Sequence, residues 1–357
     1  MKRVYLSNKD RVKFKFIQSP KSFKVVENLN YKLVKKGDYK LLKVTKQDIS
    51  TIELIEYLSS VLKIKESNIS YAGLKDKHAT TIQYLTIPKY VNIQKFKNND
   101  RVNIEELGFC ANRLKIGELK SNSFEILLED INEVEFKKLQ KAFDNIIKLG
   151  FANFFGYQRF GILKDAIQKG QKISEIGKRS KNQKSRILLG AYQAKSFNMW
   201  LNKRLEISKN IIENKENFII KKLSPTLLKI LKESKIPFKL LNGDLGFYYK
   251  KSKKEFKIVN NINKYINDFE MRKFHPTGLL FGNSVRFSTS LAGVIEREFV
   301  DYSFDALRGA RRAAWVWPKD NSLYFDKYSK SATIKFTLPP GSYATVLLEE
   351  LLNKELA

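Results

Sequence analysis

The stretch Tyr71-Ala72-Gly73-Leu74-Lys75-Asp76-Lys77-His78-Ala79-Thr80-Thr81 sets a lone carboxylate between two ammonium groups. A carboxyl of reference pKa about 3.9 is held down by neighbouring cations, so Asp76 is expected to be ionised at neutral pH. That state suits a nucleophile or a base rather than a general acid. Gly73 lets the backbone turn there, or be approached closely by a sugar. Taken alone, a Lys-Asp-Lys triplet is ordinarily a surface ion pair. His78 is expected to be a hydrogen-bonded structural histidine rather than an acid–base catalyst. A second run, Asn153 to Gly161, superficially has the glycine spacing of a P-loop. Ile162 and Leu163 then stand where a lysine and a magnesium-binding hydroxyl are needed, which excludes nucleotide hydrolysis. Arg159 in this run is a candidate partner for a phosphate or for a buried acid.

These residues need elements to hold them. Apolar side chains at Ile52, Ile55, Leu58 and Leu62 share a helical face over residues 48–64, behind a cap at Asp48 or Ser50, and this helix leads into the Asp76 segment. Phe124 to Leu128 reads as a strand, and Val134 to Leu149 as an amphipathic helix stopped by Gly150. A long helix is expected around Ser185 to Ile207, followed by lysine-rich sequence without clear periodicity. Ala332, Ile334, Phe336 and Leu338 alternate as a half-buried strand does. The turn Pro339-Pro340-Gly341 and a helix from about Ser342 follow, and this late strand is expected to rejoin the first sheet.

A chain of 357 residues is long enough for two cores. Its only cysteine, Cys110, and its two histidines, His78 and His275, fall short of a typical zinc set, so no metal is expected. A zinc-dependent base deaminase, which needs two closely spaced cysteines, is excluded with it. No Gly-x-Gly turn follows a strand with a later acid, which argues against a cofactor-using methyltransferase. No apolar run approaches the ~18 residues of a bilayer-spanning helix, and charges break up Met1 to Lys15, so a cytoplasmic chain is expected. The 67 lysines and arginines against 37 acids leave a formal charge of +30. Such a field draws polyanions, since each cation that neutralises a phosphate releases a counterion. The basic stretches Gly177 to Arg186 and Arg308 to Arg312 are candidates for following a nucleic-acid backbone.

The Tyr71 to Thr81 stretch resembles the signature of the TruD family of tRNA pseudouridine synthases, in which Gly-(Leu or Gln)-Lys-Asp-(Lys or Arg) carries the catalytic aspartate. The chain also supplies, in the expected order, Ser22-Phe23-Lys24-Val25-Val26-Glu27, Asn112 to Gly117, Asn122-Ser123-Phe124, Asn153 to Gly161, and Pro340-Gly341-Ser342-Tyr343-Ala344-Thr345. Six motifs in register span nearly the whole chain. From Ile207 to Val285 the likeness thins to echoes such as Gly243-Asp244 and Pro276 to Gly282.

The resemblance implies isomerisation of a uridine in tRNA, typically position 13 of the D arm, with no cofactor consumed. It makes Asp76 the catalytic residue, meeting either C1′ or the C2′ proton of the ribose. By the same resemblance Phe124 packs on an everted uracil and Asn122 shapes the pocket. Lys75 organises the pocket with Asn122, Lys77 is a further substrate-binding residue beside the acid, and Arg159 holds RNA in the cleft. An everted base needs such an aromatic platform. The implied fold is α/β in content, of the α+β type. A catalytic domain of residues 1–149 and 305–357 with a mixed, largely antiparallel sheet is interrupted by an inserted α+β domain over 150–304. A positive cleft lies between them, and the chain is a monomer. A non-catalytic tRNA chaperone of the same fold is the rival reading; the intact Asp76 motif weighs against it.

Overall fold

In the computed structural model, which describes residues 3–7, 11–160, 166–175, 183–251 and 253–356, the chain divides into two compact units. One comprises Lys13–Gln140 and Pro318–Gly341; the other comprises Met1–Val12, Lys141–Trp317 and Ser342–Ala357.

The first unit opens with β1 (Phe23–Leu29), β2 (Tyr39–Gln47), α1 (Thr51–Leu62), β3 (Ser70–Tyr71), β4 (Thr80–Pro88), β5 (Val102–Cys110) and β6 (Leu119–Leu128). It ends this stretch in the first turns of α2 (Glu133–Leu149). Helix α1 starts where its sequence can satisfy orphan backbone donors: the Ser50 side chain accepts from Glu53 N–H, and the Glu53 side chain reaches back to Ser50 N–H. Asp48, the other candidate cap, instead takes a left-handed backbone conformation one residue past β2. The buried face of α1 is Thr51, Leu54, Ile55, Leu58 and Leu62. Ile52, expected on that face, is exposed, and Leu54 takes its place. This face covers Leu42, Val44, Leu85 and Ile87 of the sheet, forming one contiguous core cluster.

In the second unit come β7 (Phe151–Ala152), α3 (Ala166–Glu175), α4 (Gln183–Ile212), α5 (Pro225–Glu233), β8 (Leu245–Lys250), β9 (Lys253–Ile258), α6 (Ile262–Glu270), β10 (His275–Leu280), α7 (Ser290–Arg297), β11 (Ala310–Ala313), β12 (Trp315–Val316) and α8 (Ala344–Leu352). Four strands form a sheet in the order β11-β10-β8-β9, and β12 pairs with β7. Five of these elements, α5 through β10, lie in the lysine-rich stretch where the sequence pattern shows no period. Arg204 on α4 is fully buried against Asp244, with contacts of 2.5 and 2.9 Å to its two carboxylate oxygens. The Gly243-Asp244 echo is therefore part of a core ion pair.

The chain returns to the first unit with β13 (Lys319–Asp326) and β14 (Ser331–Leu338). The sheet runs β13-β14-β6-β1-β4-β2-β5, with β3 also on β4. Only β1 with β4 is parallel, so the sheet is mixed and largely antiparallel, and the late strand rejoins it beside β6 as expected. Register then fixes which side chains meet. Phe336, Phe124, Val25, Thr81, Lys46 and Val102 are successive Cα partners across six strands. Side chains alternate along a strand, so the residues two positions on, Leu338, Asn122, Glu27, Gln83 and Val44, share that face. Among the described residues no helix is long and apolar enough to cross a membrane.

Candidate active site

Asp76 lies in the loop between β3 and β4, over the sheet face just defined, and the loop is tied down at nearly every residue. The Thr51 hydroxyl accepts from Lys75 N–H at 2.9 Å. The Lys75 ammonium meets Glu27 at 3.0 Å, and the other Glu27 oxygen accepts from Tyr84 N–H at 2.9 Å. The Lys46 ammonium donates to Asp76 O at 3.0 Å and to Ile49 O. Lys77 pairs with Glu53 at 2.6 Å on the surface, and His78 stands exposed, 3.5 Å from Asp48. Most of these tethers come from residues 46–53, which run from the end of β2 into the first turn of α1. Gly73 sits outside the left-handed region, and a methyl group there would find ordinary contacts, so neither strain nor crowding demands glycine.

The electrostatics overturn one expectation. Lys75 and Lys77, expected to be the cations that hold Asp76 down, are each paired with a glutamate. Burial pushes the Asp76 carboxyl above its ordinary value, with Lys46 and then Lys75 opposing that rise. Desolvation outweighs the two lysines although Asp76 is only half-buried. The cation that matters most to Asp76 is Lys46, whose side chain is 0 % exposed. Its own ammonium is lowered to about 8 by burial, partly offset by the charge of Asp76.

Asn122 and Phe124 stand two residues apart on β6, on the same face. Asn122 is the Cα partner of Glu27, the residue that holds Lys75. Its Oδ1 is buried without a hydrogen-bond partner. An unmatched buried acceptor is costly, so its presence here points to a ligand that can donate to it. Phe124 is 7 % exposed and lies between Phe23 and Phe336, with ring centroids 6.0 and 5.5 Å away. The structure thus brings Asp76, Lys75, Asn122 and Phe124 onto one face of the first unit.

A family model described as tRNA pseudouridine synthase D (TruD) matches residues 2–175 and 163–351. A tRNA pseudouridine synthase D of Sulfurimonas denitrificans is 36% identical over 365 residues, covering 100% of both chains. Its counterpart in Campylobacter jejuni is 35% identical, covering 96% of this chain and 93% of that one. The chain belongs to the TruD family. A crystal structure of a tRNA pseudouridine synthase D from Methanosarcina mazei, 22% identical, covers 99% of this chain and 96% of that one with a TM-score of 0.64, and so shares its fold.

The remaining residues singled out in this TruD chain lie in the second unit. Arg159 follows Phe155, with its guanidinium 5.8 Å from that ring, and among the described residues no acid pairs with it. Its Nε is buried and unpartnered, and a Cβ on Gly190 would come within 2.2 Å of its Nη2, so a larger residue where α4 passes would displace the guanidinium. Of the stretch Arg308 to Arg312, two arginines are spent inside the fold. Arg311 pairs with Glu296 at 2.6 Å, and Arg312 bonds Asn153 O and Phe154 O and lies 3.9 Å over the Phe155 ring. These two are internal struts, not backbone followers, because their donors are already satisfied. The run Gly177 to Arg186 falls largely outside the described residues, as does Gly161.

Sequence reasoning missed Lys46, Glu27, Thr51 and Gln83. Three of them carried a signal. Glu27 continues the inward positions Phe23 and Val25, Lys46 continues Leu42 and Val44, and Gln83 precedes Leu85 and Ile87. A polar residue in the apolar phase of a strand has to be justified by something other than packing.

Proposed function

We infer that this chain is a tRNA pseudouridine synthase in which Asp76 carries the reaction, with a uridine of the D arm, position 13, as its target. What supports the reading is one arrangement: a desolvated carboxylate clamped over the sheet face that also carries Asn122 and Phe124. Pseudouridine formation breaks the bond from N1 to C1′, turns the uracil, joins C5 to C1′, and transfers the C5 proton away as N1 gains one. An ionised Asp76 either attacks C1′ or removes the proton from C2′. Uracil departs as an anion, so no general acid has to protonate it at the same moment. A single carboxylate can therefore suffice where glycosidases use a pair. Desolvation makes the ionised form more basic and more nucleophilic, and Lys46 keeps that form populated.

The target base lies inside a stack in folded tRNA, so it has to be everted to reach the carboxylate. Phe124 offers the platform on which it rests, and the Asn122 Oδ1 acceptor suits the uracil N3–H. Lys75 holds the loop through Glu27, Lys77 lies at the exposed rim, and Arg159 supplies a cation for a phosphate. The enzyme acts as a monomer in the cytoplasm on one uridine at a time, as the family likeness suggests.

Chemical mapping of pseudouridine in a tRNA pool treated with the pure chain and no added cofactor tests the reading. Modification is expected at one D-arm uridine. Asp76→Asn is expected to abolish it while tRNA binding stays within about threefold, since an isosteric amide keeps the shape and removes the reacting oxygen anion. Turnover by Asp76→Asn near the wild-type rate would sink the assignment. Loss of binding together with turnover would instead make Asp76 a structural residue.

A further inference from the structure

We propose that Thr51 and Gln83 are positioning residues for Asp76, acting through a hydrogen-bond chain from the Gln83 amide to the Thr51 hydroxyl to the backbone of Lys75. The geometry fixes the direction of the chain. Thr51 Oγ1 accepts from Lys75 N–H at 2.9 Å, so its own proton is directed to Gln83 Oε1, also at 2.9 Å. Lys75 is the residue immediately before the carboxylate. A shift there displaces Asp76 directly.

Neither residue is explained by folding alone. Thr51 is the first residue of α1, but that helix is already capped by the reciprocal Ser50 and Glu53 bonds, so its hydroxyl is spare. Gln83 is 0 % exposed on a strand position flanked by Val44 and followed by Leu85, where an aliphatic side chain would pack without polar cost. The amide is retained although its Nε2 has no partner, as is Thr81 with an unpartnered Oγ1 on the same face. The stability given up by burying that amide fits a residue kept for the placement of the loop above it. The other tethers, Lys46 to Asp76 O and Glu27 to Lys75, do not run through Thr51. The loop therefore loosens rather than unfolds.

This proposal rests on the assignment of Asp76 to the chemistry, and the test separates the two. Steady-state kinetics on tRNA and amide exchange are measured on the full chain for Thr51→Val, Thr51→Ser, Gln83→Met and Asp76→Asn. Thr51→Val and Gln83→Met are each expected to lower kcat by roughly ten- to a hundredfold, the scale of a misplaced reacting group, with KM within about twofold. Thr51→Ser restores most of the rate, because it keeps the hydroxyl. A chain carrying both Thr51→Val and Gln83→Met, measured alongside, is no worse than the more severe single variant within about twofold, as expected of links in one chain. Amide exchange at Lys75 accelerates in Thr51→Val and Gln83→Met. Gln83→Met leaves α1 and Thr51 intact, so it carries the test if Thr51→Val does not fold. Unchanged exchange at Lys75, unchanged kcat, or a Thr51→Ser variant as slow as Thr51→Val overturns the chain of positioning. Full turnover by Asp76→Asn, with Lys75 exchange still accelerated in Thr51→Val, overturns the Asp76 assignment instead.

Discussion

At the scale of single residues, the informative pair is a carboxyl pushed up and an ammonium pushed down on the same sheet face. Burial acts on both, favouring the neutral form of each, while their mutual attraction favours the charged forms. The productive state, Asp76 ionised beside a protonated Lys46, is bounded on the acid side by the raised carboxyl and on the alkaline side by the ammonium near 8. A plot of kcat/KM against pH is therefore expected to be a bell whose alkaline limb lies near that value. Lys46→Met removes a cation that stabilises the carboxylate, so the acid limb should move to higher pH. Activity at mildly acidic pH should fall by roughly five- to tenfold relative to the optimum. Lys46→Arg should leave the acid limb in place. An acid limb that does not move in Lys46→Met would mean that the charge of Lys46 is not felt at the reacting oxygen.

Among the elements, β6 has to serve both core and site. Phe124 lies in a row of three rings with Phe23 and Phe336, so Phe124→Ala is expected to cost about 3 to 5 kcal/mol of stability as well as rate. Phe124→Leu separates the two roles: it keeps most of the volume, at a cost under about 1.5 kcal/mol, but has no π face. The single-turnover rate of Phe124→Leu should fall about tenfold if uracil stacks there, in line with ~1 to 3 kcal/mol for stacking on an aromatic. An unchanged rate returns the ring to ordinary core. Much of this architecture was legible in the sequence. The α1 cap, the alternation of β14 and the Asp76 motif all rest on local rules, namely capping, period two and a charged triplet. What was not legible depends on partners far apart in the chain. Lys46 and Asp76 meet only because β2 and β4 are neighbours, and Lys75 turns to Glu27 only because β1 lies parallel to β4. The elements from α5 to β10 escaped because lysines interrupt their apolar period, although β8 and α6 bury Leu245, Phe247, Tyr265 and Phe269. Helix α8 carries a further case, since buried Glu350 accepts from Leu6 N–H at 3.0 Å and Ser7 N–H at 2.8 Å. Burial raises its pKa from 4.5 to about 7. A raised carboxyl contributes stability that is present below its unfolded value and lost as pH rises through its folded one. Urea midpoints should therefore fall for the wild type between mildly acidic and mildly alkaline pH. Glu350→Gln should be spared a loss of order 3 kcal/mol. Parallel curves for the two proteins would show that Glu350 is ionised without cost.

For the molecule as a whole, the surplus of 67 basic over 37 acidic residues is not evenly available. Many acids of the first unit are already engaged, as in Lys40 with Glu106, Lys43 with Glu105, Lys89 with Asp38 and Lys335 with Glu125. Buried arginines such as Arg204, Arg311 and Arg312 are likewise occupied. The charge left to meet a polyanion is therefore carried mainly by exposed lysines, each a hydrated point charge that binds phosphate without sequence preference. Such contacts set affinity and leave the chemistry on the sheet face alone. Raising salt from about 50 to 200 mM should raise KM for tRNA by at least roughly tenfold, through counterion release at each neutralised phosphate. At saturating tRNA, kcat should stay within about twofold, because Lys46 is fully buried and Asp76 half-buried, so both are screened less than the surface lysines. The decisive measurement is kcat and KM determined separately across that salt range. A kcat that falls with KM unchanged would place the salt-sensitive charges at the reacting centre rather than on the surface that captures the RNA.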